Sequence, residues 1–103
     1  MHAGKMDNAI HVLLLVVECH IPHSQSLKQK RVVIKGLVDR LRARFNASVA
    51  ETGYLDEWQR SVIAVTLVSN NRRYLQQQID NLVQVLNTSG GDLTVSAIER
   101  HWL

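Results

Sequence analysis

The sequence has one cysteine, one proline and no long apolar run. A single cysteine, Cys19, excludes a framework of internal disulfides. The longest uninterrupted apolar run, residues 12–17, is far too short to cross a bilayer, and the opening MHAGKMDNA lacks the pattern of a signal peptide. We therefore expect a cytoplasmic protein with no membrane partner.

The chain is also poor in the residues that break secondary structure, with five glycines and one proline among 103 residues. Hydrophobic residues make up 46% of it, which is typical of a folded domain and excludes a disordered or fibrous chain. A chain of this length has room for one core. We expect a flexible N-terminal extension over residues 1–9 and a single domain over residues 10–103.

Positive charge is concentrated in one segment, although the net charge is only +3. Between Ser26 and Asn46, seven lysines and arginines accompany one acidic residue, Asp39. The remaining five cations are outnumbered by eight anions. This segment is therefore the part of the chain most suited to an anionic partner.

Hydrophobic spacing predicts six elements. Residues 10–19 are short, apolar and rich in valine and leucine, which is typical of a strand buried on both faces. Apolar residues from Leu27 onward recur at helical spacing and predict a helix of about five turns, with Ser24 or Ser26 as its cap. ASVAETG and SVIAVTLVS then read as strands, Asn70 or Asn71 caps a second helix that ends near Gly90 or Gly91, and LTVSAIERHWL is a final strand.

The resulting order, β-α-β-β-α-β, is that of an α+β ferredoxin-like two-layer sandwich, with a four-stranded antiparallel sheet and both helices on one face. In this topology the segments HIPHSQSLKQKR (20–31) and YLDEWQRS (54–61) follow two strands that end at the same edge. We expect these segments to be neighbours, with the turn NTSGGD beside them.

The first and third strands are apolar on both faces, whereas a half-exposed strand alternates apolar and polar residues. The sheet face without helices therefore needs a cover. We expect a second copy of the chain to supply it in a homodimer, and a different protein on the same face is the alternative.

Five short motifs occur together in a fixed order: H-x-P at His20, S-L-K-x-K-R at Ser26, N-x-S-V-A-E at Asn46, D-x-W-Q-R at Asp56 and S-N at Ser69. By these motifs the chain from Ile10 to Leu103 resembles the YlxP-like family of small bacterial proteins, also called domain of unknown function 503. The resemblance implies a ferredoxin-like fold and no established activity. Genes of that family often lie beside those for translation initiation and ribosome maturation, which implies an RNA-linked role.

Two groups of residues are candidates for contacts with RNA or another anion. The cations on the first helix have two interpretations. They contact the phosphates of RNA, or they are ordinary surface side chains that extend from the helix into water. Trp58 offers a stacking platform, or else plugs the end of the core. The candidate contact residues are Lys28, Lys30, Arg31, Lys35, Arg42, Trp58 and Arg60. At the edge where the two loops meet, the loop edge, Asp56 or Glu57 could instead neutralise Lys28, Lys30 and Arg31, which would make that cluster structural. We expect His20 to form a hydrogen bond with the Asp56–Glu57 loop.

Catalysis and metal binding have weaker support. Cys19, His20 and His23 come from one loop and fall short of the usual four zinc ligands. Acylphosphatases share the predicted fold, but their phosphate loop contains glycine and arginine, and this loop has neither before Arg31. We expect no cofactor, no metal and no catalytic residue, and an acylphosphatase-like activity remains the enzymatic alternative.

The sequence thus predicts a non-catalytic cytoplasmic binding module that contacts RNA or a ribosomal subunit in a ribosome-linked or translation-linked process. The alternative is a protein-interaction or scaffolding module. Such a module would dock through the apolar sheet face or through the edge from Asp56 to Arg60.

Overall fold

The computed structural model describes residues 8–88 and 90–103. Its elements are β1 (His11–His20), α1 (Leu27–Arg44), β2 (Ser48–Gly53), β3 (Arg60–Ser69), α2 (Arg72–Asn87) and β4 (Thr94–Trp102). All six predicted elements are present in the predicted order. Of the predicted N-terminal extension over residues 1–9, residues 1–7 lie outside the described residues, and residues 8 and 9 have no regular structure.

The four strands form one antiparallel sheet in the order β2-β3-β1-β4. β1 lies in the middle and pairs with β3 over its full length, from His11 opposite Ser69 to His20 opposite Arg60. The ladders to the edge strands each contain one irregularity, between Glu18 and Cys19 and between Glu51 and Gly53. The predicted ferredoxin-like sandwich is confirmed.

Both helices begin at polar caps. The Ser26 hydroxyl accepts a hydrogen bond from the Gln29 amide at 3.0 Å, and the Asn71 side chain accepts one from the Tyr74 amide at 3.0 Å. Each cap satisfies a backbone N–H that has no partner inside its helix. Of the alternatives left open by the sequence, the structure selects Ser26 and Asn71.

The core lies between the helices and one face of the sheet. α2 contributes four leucine and isoleucine side chains, and α1 contributes Ile34, Leu37 and Leu41 together with one lysine, Lys30. Residues along β1 and β3 alternate between buried and partly exposed, except at the start of β1, where His11 and Val12 are both partly exposed, and at the end of β3, where Val68 is exposed. The partly exposed residues in the middle of the two strands are still apolar, among them Leu14, Val16, Val62 and Ala64, while charged residues such as Glu18 and Arg60 lie at one end. Within the described residues this second face, the open sheet face, therefore carries hydrophobic side chains without a second layer.

Gly53 and Gly36 provide a matched test of the packing. A Cβ added at Gly53 would lie 2.9 Å from Cβ and Cγ2 of Val62, whereas one added at Gly36, inside α1, meets nothing within 4 Å. We expect Gly53→Ala to lower the free energy of unfolding by about 1–3 kcal/mol because it overpacks the β2–β3 ladder. Gly36→Ala should raise it by about 0.5–1 kcal/mol. Urea unfolding midpoints measure both changes, and a Gly53→Ala midpoint at or above wild type would contradict the described packing.

Candidate functional site

The β1–α1 and β2–β3 loops meet at one edge of the sheet, as the topology predicts. The Ile21 amide donates a hydrogen bond to the Gln59 carbonyl at 2.9 Å. The Gln59 side chain in turn donates to the Ser24 carbonyl at 3.0 Å. The second bond joins residues that lie 35 positions apart in the chain. The predicted neighbourhood of these two loops is confirmed.

Lys30 lies inside this edge and not on its surface. Its side chain is 1% exposed, and its Nζ lies 3.0 Å from Oε2 of Glu51 and donates to the carbonyl of Tyr54 at 2.6 Å. Glu51 also accepts a hydrogen bond from the Ser61 hydroxyl at 2.6 Å. The prediction that Lys30 contacts RNA is therefore wrong, because burial and pairing with Glu51 leave its charge inaccessible.

Asp56 and Glu57 do not neutralise the cations at the start of α1. Both are exposed, and within the described part of the chain neither forms an ion pair with Lys28, Lys30 or Arg31. The structure replaces them with Glu51, whose position on β2 brings it beneath α1. The charges of Lys28 and Arg31 consequently face solvent.

Tyr54 has a left-handed backbone, with a φ of 55°, which is uncommon for a residue other than glycine. Lys30 donates to its carbonyl, and the guanidinium of Arg60 lies 3.9 Å above its ring and donates to its hydroxyl at 2.7 Å. Strained conformations of this kind persist only where the surroundings hold them. Contacts on both sides of Tyr54 thus define how the β2–β3 loop leaves the sheet.

Trp58 lies in this loop and is 52% exposed. Such exposure does not fit a plug over the end of the core. Trp58 borders a shallow depression of about 550 Å³ that is also lined by His20, Glu57, Gln59 and Arg60. The structure therefore brings Trp58, Arg60 and His20 together, as the stacking alternative requires.

His20 makes a different contact from the one expected. Its Nε2 lies 4.0 Å from Oε1 of Glu18, and Arg60 lies 3.5 Å from the same oxygen. Within the described residues no hydrogen bond joins His20 to Asp56 or Glu57. Glu18 is thus the acidic centre of this end of the open sheet face.

The remaining cations of α1 lie on both sides of its buried stripe. Arg42 is next to β2 and donates to the Val49 carbonyl at 2.7 Å, while Lys35 is 2.6 Å from Asp39. Arg44 borders α2, and Arg40 borders the segment before β4. Of the predicted contact residues on α1, Lys28, Arg31, Lys35 and Arg42 remain exposed.

Cys19 is fully buried in the core. Burial, together with the nearby carboxylates of Glu18 and Glu51, raises the pKa of its thiol to about 11. A protonated, buried thiol is neither a nucleophile nor a ready metal ligand at neutral pH. Within the described residues no group of three or more histidine, cysteine, aspartate or glutamate side chains is placed to hold a metal ion.

Comparison with known proteins decides the family. A family model described as "Protein of unknown function (DUF503)" matches residues 12–100. The chain belongs to the DUF503 family. This confirms the resemblance, and the family description assigns no catalytic activity.

Two individual proteins are similar to this chain, one in sequence and one in fold. The DUF503 chain is 34% identical over 71 residues to the uncharacterized protein YlxP of Bacillus subtilis (strain 168), covering 69% of this chain and 77% of that protein. It also matches the de novo designed protein Foldit4 with a TM-score of 0.52 and 10% identity, over 90% of this chain and 96% of that chain. The second match shows the fold alone.

None of the helices in the described part of the chain is both long and apolar enough to span a membrane.

The Lys30–Glu51 pair can be tested by removing one partner at a time. Lys30→Met and Glu51→Gln should each lower the free energy of unfolding by about 3 kcal/mol, because each leaves the other polar group buried without its counter-charge. The double variant should lose less than the sum of the two. Chemical denaturation of the four proteins measures this, with Lys28→Met, an exposed lysine of the same helix, as the control. Equal stability of Lys30→Met and Lys28→Met would refute the buried pair.

Proposed function

We propose that this DUF503 protein is a non-catalytic RNA-binding module of the bacterial cytoplasm that acts in a ribosome-linked or translation-linked process. The observation that carries the proposal is the surface charge of α1. Six exposed cations lie on this helix with one acidic residue, Asp39; the cations are Lys28, Arg31, Lys35, Arg40, Arg42 and Arg44.

Five of these cations have no anionic partner within the described part of the chain. Lys35 is paired with Asp39, whereas Arg42 donates to the uncharged carbonyl of Val49 and the other four form no ion pair there. Unpaired cations at this density attract the phosphates of a nucleic acid without regard to sequence. A solvated surface helix more often interleaves both signs of charge.

The loop edge supports the same proposal. A half-exposed indole beside the guanidinium of Arg60 and the ring of His20 is suited to stacking an unpaired base. The open sheet face lacks the aromatic residues with which RRM domains bind RNA, because its exposed positions on β1 and β3 are mostly valine, leucine, alanine and threonine. We therefore assign RNA contacts to the helix and the loop edge, and none to the sheet face.

The test uses a short, fluorescently labelled single-stranded RNA of mixed sequence as the probe. The logarithm of its affinity should fall linearly with the logarithm of salt concentration between about 50 and 200 mM. Lys28→Glu/Arg31→Glu should reduce that slope by about 1.4, since each phosphate contact on a single strand contributes about 0.7. Fluorescence anisotropy titrations measure the slope.

The matched control is Arg73→Glu/Arg100→Glu, which makes the same change in net charge on α2 and β4. This control should retain most of the salt slope, and circular dichroism checks that both double variants are folded. Absent binding, or binding that salt leaves unchanged, would overturn the proposed function.

The open sheet face favours a second role, which is self-association. Its centre is apolar, and Val68, near the end of β3, extends the apolar surface and is 59% exposed. Charged groups at its margin already have partners within the chain, since Glu18 lies 3.5 Å from Arg60 and the Glu99 carboxylate is hydrogen-bonded to the His101 ring at 3.1 Å. An identical copy therefore meets this face without unpaired like charges, which favours a homodimer over an oppositely charged partner.

Val68→Lys tests the homodimer. A lysine at this exposed position should split the dimer into monomers because it places a charge within the apolar contact. Val32→Lys is the matched control, since Val32 is 68% exposed on the opposite, helical side of the molecule. Light scattering after size exclusion reports the mass. A monomeric wild-type protein, or a Val68→Lys protein that stays dimeric, would contradict the assignment.

A further inference from the structure

An open groove of about 780 Å³ separates the C-terminal end of α1 from α2. Arg44 and Phe45 line one side, and the other side is lined by Gln78, Asn81, Gln84 and Asn87. Phe45 is nearly buried and forms an apolar base, whereas the amides and Arg44 reach the surface. The floor of the groove is therefore apolar, and its rim is rich in amide side chains.

The groove is short of acidic residues, unlike most of the chain outside α1. From Tyr74 to Asn87 the only charged residue is Asp80. Asp80 lies on the other flank of α2, with its carboxylate 3.8 Å from the guanidinium of Arg100 on β4. The lining thus contains one cation and no anion.

The amide side chains are not used by the fold. Within residues 8–88 and 90–103, the side chains of Gln78, Asn81, Gln84 and Asn87 take part in no hydrogen bond. Asn81 is a weaker helix former than alanine by about 0.6 kcal/mol, and it is exposed, so neither propensity nor core packing accounts for it. These amides keep their full capacity to donate and accept hydrogen bonds.

We propose that this groove binds unpaired bases of single-stranded RNA, an inference that rests on the proposed function and gives it a base-contacting surface. Asparagine and glutamine donate and accept at once, so they match the edges of nucleobases that are not paired. Arg44 supplies a phosphate contact beside the amides, and Arg40, one turn earlier on the same flank of α1, continues the cationic surface toward the segment before β4. A peptide backbone also pairs with amides, but a lining with a cation and no anion favours the anionic strand.

Gln78→Met/Asn81→Leu tests the proposal, since it removes two amides that face α1 and keeps their approximate size. With the same mixed-sequence RNA probe, affinity should fall about tenfold because hydrogen bonds to bases are lost. The slope of affinity against salt should stay at the wild-type value, because no charge has changed. Gln76→Met, on the Asp80 side of α2, is the control and should bind like wild type.

The outcomes separate this inference from the function on which it rests. If neither the wild type nor any variant binds RNA, the proposed function and the groove assignment both fail. If wild type binds with a steep salt slope and Gln78→Met/Asn81→Leu binds equally well, the function stands and the groove assignment is overturned. Shifts of the Gln78 and Asn81 side-chain amide signals on addition of a neutral peptide, with none on addition of RNA, would likewise overturn it.

Discussion

The buried ion pair between Lys30 and Glu51 is the constraint on which the loop edge depends. A lysine ammonium withdrawn from water costs several kcal/mol unless a counter-charge and hydrogen bonds accompany it. Here Glu51 supplies the charge, and the Tyr54 carbonyl supplies a hydrogen bond. The pair therefore couples the first turn of α1 to β2 and to the loop that follows it. Trp58 is presented by that loop, so its place beside His20 and Arg60 follows from an interaction buried beneath it.

The same pair changes how the charge of α1 is distributed. Lys30 is buried and paired with Glu51, and Lys35 forms an ion pair with Asp39. Arg42 donates a hydrogen bond to the Val49 carbonyl at the edge of β2. The cations left over lie toward both ends of the helix and on both of its flanks. One flank adjoins β2 and the other adjoins the amide groove of α2. The helix thus joins the core by one stripe and presents cations on two separate surfaces.

Much of the fold is encoded locally and could be predicted from the sequence. Capping side chains at Ser26 and Asn71, alternation in the strands and the order of elements together determine the sandwich and the meeting of its two loops.

Lys30 was missed because lysine is by default a surface residue. Its position was nonetheless visible, since residues 30, 34, 37 and 41 fall on one face of a helix. Glu51 was missed because its partner is 21 residues away in the chain. No sequence pattern near Lys30 indicates which acidic residue it pairs with when it is buried. The amide groove depends on how two helices lie beside each other, which periodicity in either helix does not reveal.

Lysine acetylation in the folded protein, followed residue by residue with mass spectrometry, tests the buried pair most directly. Lys28 and Lys35 are exposed on the same helix and serve as internal references. Lys28 and Lys35 should react at the rate of solvent-exposed lysines, while Lys30 should stay unmodified until denaturant unfolds the chain. Acetylation of Lys30 at the same rate as Lys28 in the native protein would contradict the account.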